Sequence, residues 1–432
     1  MSKRFGNVAA VVGLTVSLFT SACGNAEVAD DIGADQVEQE SNGATQLYDD
    51  FRNGFSATQA TDKWAYFGFG PAFTGNDGIE STSNRGLRVV SKGRNSRTGE
   101  PAFTSTVVQE SSPASLGLPG GVDHVKWLVY ANRFSSHGYP GFDATTSRQV
   151  GCEAYVDGQT FGTNGHPFGS AVRNANDDLR LAAFAMNVID VETFMVFDMF
   201  MTNEGIYAFY ERLPFGRGPG LGNYAAFSFA KRVSDNRPGE QHKLGVSYDK
   251  RSNTVLWTVD GREVQRVSRV GLLIDRQNMV LDHGGTPTEV SLNQLNCGMG
   301  TFTLLDANSV GRGGLAKLST TPGFYYNPAT GEPNPETFTD PASVDGSRLF
   351  GQGAELNVKK YNLFLAEESE ETSLLGSVQG GEVKRARHHC LRNEESNHLG
   401  NVQSGFGTRL VRIVVELSIP AAQLHDRPVS VA

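Results

Sequence analysis

The 432-residue chain contains no apolar run of about 20 residues, the length a helix needs to cross a bilayer, its first stretch being too short, so no permanent helical span is expected. It also lacks an excess of positive charge, with a formal net charge of -9 and a pI near 5.6. Nucleic acid and anionic lipid surfaces demand basic patches, so neither is expected as the main partner. No long amphipathic helical pattern separates the strand-like runs described below, which excludes parallel βαβ architecture. Cysteine is scarce, at four residues.

What is present first is a leader. Lys3 and Arg4 precede the apolar stretch 8–19, which closes on Thr20-Ser21-Ala22-Cys23. Basic, then apolar, then small is the order of a secretory signal. The ending resembles a bacterial lipobox, and that resemblance implies cleavage after residues 1–22, diacylation of the Cys23 sulfur and acylation of the new N-terminus. Several acyl chains hold a protein stably where one gives only marginal binding. Gly24 rather than an aspartate follows Cys23, which in Gram-negative lipoproteins implies sorting to the outer membrane. The expectation is therefore an exported protein, lipid-anchored to the cell envelope. Residues 24–45 carry Glu27, Asp30, Asp31, Asp35, Glu38 and Glu40, no Lys or Arg, and almost nothing to bury. With Cys23 they form an acidic tether, 23–45, that cannot offset its own chain entropy.

With Cys23 on lipid, export leaves Cys152, Cys297 and Cys390, and an odd count permits at most one internal pair. Cys152 with Cys297 is favoured, because both sit at edges of strand-like segments, although the sequence leaves other pairings open. His388, His389, Cys390 and His398 fit none of the usual zinc spacings, so a polar, largely disordered tail over 367–432 is expected there and no metal site.

From residue 46 onward, short runs of β-branched and aromatic residues recur between Gly, Asn, Asp and Pro clusters, from 46–51 through 64–69, 124–130, 181–189, 193–202 and 206–213 to 355–364. Period-two alternation bounded by turn residues is the signature of strands. The cleanest instance is 255–264, where Asp260-Gly261 supplies the positive φ angles of a tight hairpin turn. About fifteen such runs predict one all-β sandwich or jelly roll over 46–366. The Gly-, Pro- and Asn-rich stretch 306–348 reads as a surface excursion before the last strand.

Leu47-Tyr48-Asp49-Asp50-Phe51 followed by Trp64, the pair of strands 240–249 and 255–261 ending in Val259-Asp260-Gly261, and the closing run 355–364 together resemble the concanavalin A-like lectin and glucanase superfamily. The resemblance covers roughly 300 residues and implies a concanavalin-like jelly-roll β-sandwich: two curved antiparallel sheets whose concave face forms a groove for extended carbohydrate. The Glu-x-Asp-x-x-Glu motif of its best-known hydrolases is absent, so that machinery does not carry over. Many relatives bind a structural calcium at the first and last strands. Asp49 and Asp50 stand at that place, but the last strand offers Asn357 and Asn362 rather than an aspartate, so no cofactor is expected.

Chemistry concentrates between His166 and Phe215. A hairpin of 193–202 with 205–213, looped at Asn203-Glu204, sets Asp198 opposite Phe209 and Val196 opposite Glu211. Alternation then puts Phe194, Val196, Asp198, Phe200, Tyr207, Phe209 and Glu211 on one face, and Met195, Phe197, Met199, Ile206 and Tyr210 on a core-like face. Asp198 and Glu211 become diagonal neighbours about 7 Å apart or less, a separation at which two carboxyls can take acid and nucleophile roles. The alternative is structural, with Glu211 paired to an arginine such as Arg180 and Asp198 capping a turn. His242 joins Asp198 and Glu211 as a candidate catalytic group; His166, Arg180, Tyr207, Phe209, Tyr210 and Arg212 are candidate ligand contacts, the arginines for an acidic sugar. Three functions remain open: a lectin-like binder of carbohydrate or another extracellular polymer, a glycosidase or polysaccharide lyase, or a structural module without a ligand groove.

Overall fold

A computed structural model describes residues 43–69, 73–111, 120–309 and 311–367. The leader, Cys23, most of the tether, Cys390 and the C-terminal tail lie outside the described residues.

The described chain is built almost wholly of strands, and its one α-helix, Asp345–Arg348, is a single turn. Two large antiparallel sheets of eight and ten strands pack face to face as a β-sandwich. In the first, the convex sheet, Arg148–Phe161 and Gly353–Glu367 run side by side at the centre. His242–Asp249, Thr254–Val259 and Arg262–Ser268 extend it one way, Gly86–Ser91 and Gly78–Ser83 the other, and Gly43–Asp49 pairs with the far half of Gly353–Glu367. The closing strand thus lies beside the first. The concave sheet runs Trp64–Tyr66, Val125–Ala131, Gln294–Thr303, Ala182–Asp190, then Met195–Val196 with Met199–Met201, then Gly205–Arg212, Phe227–Asp235 and Met279–Asp282.

Local sequence accounts for the turns. Asp260 and Gly261 adopt φ of 53° and 81°, and Val259 pairs directly with Arg262, the mirror-image turn that matches strand twist. Between the sheets, Trp64, Trp127 and Trp257 are at most 1% exposed, and Phe197 packs between Tyr210 and Trp257 with ring centroids 6.2 and 6.0 Å away. Such rings bury the most apolar surface per residue and dominate the core. Asp49 accepts the Trp64 indole N–H at 2.9 Å and the Phe51 backbone N–H at 3.0 Å.

Cys152 on the convex sheet and Cys297 on the concave sheet are joined as a disulfide, stapling the layers through the core. The 145-residue separation makes this a long closed loop. Replacing both cysteines by alanine is expected to lower unfolding free energy by about 2–5 kcal/mol, read from chemical denaturation of the oxidised wild type against the double variant.

The stretch 306–348 departs from its reading as a surface excursion. Its Leu315, Ala316, Leu318, Phe324 and Tyr325 are at most 7% exposed, and its Gly314–Ala316 and Phe338–Asp340 pair in parallel. Phe324, Tyr325 and Phe338 pack on the outer face of the concave sheet. Composition concealed this because each buried aromatic stands among Gly, Pro and Asn instead of in an alternating run.

Candidate functional site on the concave sheet

The hairpin pairs as its alternation requires: Val196 opposite Glu211, Phe200 opposite Tyr207, Met201 opposite Ile206, with the Phe209 N–H donating to the Asp198 carbonyl at 2.9 Å. Met195, Phe197, Met199, Met201, Ile206, Ala208 and Tyr210 enter the core between the sheets. Asp198 and Glu211 therefore share the opposite, concave face, and the register of the neighbouring strands fixes what stands beside them. Tyr130 pairs with Gly298 and Gly298 with Asn187, so that Tyr130, Gly298, Asn187, Asp198 and Phe209 form one transverse row across five strands. Gly298 is needed there, because a Cβ on it would lie 2.5 Å from the Tyr130 ring.

Asp198 is 5% exposed, and its carboxyl accepts the Val188 N–H at 2.8 Å and the Asn187 amide N–H at 2.6 Å. Burial pushes this carboxyl well above the usual carboxylate range, and Glu211 pushes it further. Glu211 is half-buried and accepts the Ser228 hydroxyl at 2.5 Å. Burial pushes it up to about 7, against the opposing pull of Ser228 and His124. The His124 Nε2 lies 2.6 Å from one Asp306 oxygen, and the Tyr325 hydroxyl donates to the other at 2.7 Å. Burial alone lowers His124, but Asp306, with smaller help from Glu211 and Asp123, raises it above its ordinary value. Asp306 is correspondingly held below the carboxylate range despite its burial. Each partner thus favours the charged form of the other.

Tyr130 and Glu211 stand four strands apart, yet the Glu211 charge reaches Tyr130 and helps, after burial, to raise its hydroxyl. Tyr130 feels the charges of Asp198 and Glu211, and Glu211 those of His124 and Asp306, so the five side chains form one electrostatic cluster on this face.

Part of the concave face is filled: Phe200, Phe209 and Phe302 interlock at centroid distances of 5.0 and 5.2 Å, and Phe324 and Tyr325 belong to the same cluster. Phe209, 2% exposed, is core and offers no ring to a ligand.

Several other expected contacts lie elsewhere. His242 is on the convex sheet, 2.8 Å from Asp260, so it cannot join Asp198 and Glu211. Tyr210 faces the inter-sheet core and donates to the Leu272 carbonyl at 2.9 Å. Arg212 is 1% exposed, stacks 3.9 Å over Tyr224 and donates to the Thr288 carbonyl. Arg180 forms a fork with Asp178 and donates to the carbonyls of Gly313 and Ala171, so it does not reach Glu211. His166 stacks on Phe168 in the loop after Arg148–Phe161. Tyr207, its hydroxyl tied to Asp177 at 3.0 Å, borders a cavity of about 570 Å³ on the same face of the sheet, which Ala230, Val280 and Arg180 also line. Sequence reasoning missed His124, Tyr130, Asn187, Ser228 and Asp306. Only strand pairing brings them to Glu211, and no local spacing announces that.

The fold is an antiparallel two-sheet β-sandwich with a titratable cluster on the outer face of its ten-stranded sheet. Residues 48–367 match a family described as a family of unknown function (DUF6081), and the chain belongs to that family. An uncharacterized protein of Acanthamoeba polyphaga mimivirus is 29% identical over 383 residues, covering 67% of this chain and 82% of that one. Among solved structures, an endo-1,3-β-glucanase from Streptomyces sioyaensis is 12% identical with a TM-score of 0.36, covering 76% of this chain and 98% of that chain. A κ-carrageenase from Pseudoalteromonas carrageenovora is 12% identical with a TM-score of 0.33, covering 78% and 99%. Likenesses at this level carry no functional argument.

Glu211 has a measurable signature in stability. The folded chain keeps its proton to about pH 7, whereas an unfolded glutamate releases it near 4.5, so stability falls as pH rises through that window. The raised imidazole of His124 acts in the same direction, its contribution being lost as pH rises past its folded pKa. Glu211→Gln is expected to flatten the pH dependence of unfolding free energy between pH 4.5 and 7 by on the order of 3 kcal/mol, measured by denaturant titration at stepped pH.

Proposed function

We propose that this chain handles polysaccharide at the concave-sheet cluster, with Glu211 as the proton-transferring group. The observation that carries this reading is a half-buried carboxyl brought to about 7 beside the hydrogen-bonded His124–Asp306 pair. A catalytic acid or base works best with a pKa near the operating pH, and perturbed titratable groups cluster at functional sites. Glu211 gives its proton to the departing sugar oxygen while a water adds to the sugar carbon and releases its proton to solvent, and His124 beside it favours the carboxylate left behind. Asp198, whose carboxyl burial pushes well above the usual range, is a hydrogen-bonding member of the cluster.

The test uses three soluble polymers, a β-1,3-glucan, an alginate and a κ-carrageenan. Binding is followed by affinity electrophoresis, and cleavage by new reducing ends and by the absorbance of unsaturated products. Wild type is expected to bind at least one polymer and cut it. Glu211→Gln should retain binding while turnover falls by about 10²–10⁴-fold. Binding without cleavage by wild type would leave a lectin-like module, and the absence of both would sink the carbohydrate reading in favour of a structural one.

We further propose that the domain is carried to the cell envelope by its leader and held there through Cys23. The basic, apolar and small order of residues 3–23 supports this. In a Gram-negative host the anchor would sit in the outer membrane. Labelled fatty acid should enter the wild-type chain during growth and be lost in Cys23→Ala; equal labelling of both would overturn the anchor.

A further inference from the structure

The cavity beside Tyr207 takes no part in the Glu211 cluster. At about 570 Å³ it falls within the roughly 300–1,000 Å³ of small-molecule sites. Tyr207 and Glu211 lie four residues apart on Gly205–Arg212, about 13 Å along the strand, and Phe209 between them is core. The cavity is therefore a second place on this face, apart from the titratable groups. Its floor is the half-buried border of the aromatic cluster, where Leu179, Tyr207, Ala230 and Val280 pack.

The charges around it are spent within the fold. Three arginines and three aspartates line the cavity, so its wall carries no net charge. Arg180 is paired with Asp178 at 2.6 Å and Arg232 with Asp177 at 3.0 Å. Arg276 reaches the Asp282 carboxyl at 2.7 Å and the Pro328 carbonyl at 2.9 Å. Asp275 caps the turn Arg276–Asn278 by accepting the Gln277 N–H at 3.0 Å and forms no ion pair among the described residues. What stays open is neutral. The side-chain amides of Gln277 and Asn278 and the hydroxyl of Ser309 have no hydrogen-bond partner among the described residues. Asn278 and Ser309 are half-buried at the wall, so their partners come from whatever fills the cavity.

We propose that this cavity is a second glycan site, which holds a unit of a neutral polysaccharide away from Glu211. It rests on the polysaccharide reading and adds a holding site and a substrate class to it. A sugar ring has apolar C–H faces and a rim of hydroxyls, and the cavity offers the complement of both. The ring lies over Tyr207, Ala230 and Val280, and its hydroxyls exchange hydrogen bonds with Gln277, Asn278 and Ser309 in place of water. A uronate or sulfated unit fits less well: every arginine here already faces a carboxylate, and Asp275 repels an anion.

The experiment measures the affinity of wild type, Gln277→Ala/Asn278→Ala and Ser309→Ala for the β-1,3-glucan, alginate and κ-carrageenan by affinity electrophoresis at neutral pH, and records the melting temperature of each protein. Wild type is expected to bind the neutral glucan at least about ten-fold more tightly than either acidic polymer. The double variant should lose glucan affinity by about ten-fold, the step that two ordinary hydrogen bonds produce, with its melting temperature unchanged because neither amide is used within the fold. Ser309→Ala, outside that turn, should lose affinity by a smaller factor, and it alone decides if the double variant melts lower than wild type. Glucan affinity equal to wild type in both cavity variants, or preference of wild type for an acidic polymer, would overturn the holding site while leaving the polysaccharide reading standing. If wild type binds none of the three, both fall together.

Discussion

Strict alternation in the hairpin Met195–Arg212 is the constraint on which the rest depends. A slip of one residue would carry Asp198 and Glu211 into the inter-sheet core and turn Phe197 and Tyr210 out onto the concave face. Neither arrangement is tolerable, since the core around Trp257 holds no partners for a carboxyl and Tyr210 would lose its bond to Leu272. The apolar half of the hairpin thus enforces the position of the polar half. Placement of the acids follows from packing of their neighbours, whatever chemistry they perform.

Five titratable side chains on this face then feel one another's charge, and burial gives each charge a desolvation cost. His124 and Asp306 offset it by pairing, and Asp198 by the hydrogen bonds of Asn187 and Val188. Glu211 has the Ser228 hydroxyl and the neighbouring His124, which oppose burial without overcoming it. The aromatic cluster that includes Phe324 and Tyr325 fills part of the same face while contributing Tyr325 to the site itself.

The parts legible in the sequence were those governed by neighbours in the chain. Alternation through 193–213 and the short Asn203-Glu204 loop give the hairpin its register, and Asp260-Gly261 gives its turn, because each depends on a few consecutive residues. The all-β class followed from the same signal repeated. What stayed hidden depends on pairing between distant strands. His124 and Asp306 are 182 residues apart, and nothing local marks them as partners. His242 was misplaced for a related reason, since a histidine opening a strand does not reveal to which sheet that strand belongs. Arg180 and Arg212 looked like ligand contacts because an arginine fork suits the carboxylate of an acidic sugar, yet both donate to backbone carbonyls within the fold.

The last strand, Gly353–Glu367, occupies the middle of the convex sheet, zipped along Arg148–Phe161 on one side and along both Gly43–Asp49 and Gly86–Ser91 on the other. Its partners are made early in synthesis and must wait for it with their hydrogen-bonding edges unfilled. Contacts of such long sequence separation make for slow folding, because chain closure precedes any gain from pairing. Half of the sandwich cannot assemble until nearly the whole domain has emerged, so the chain stays threadable until its end is free.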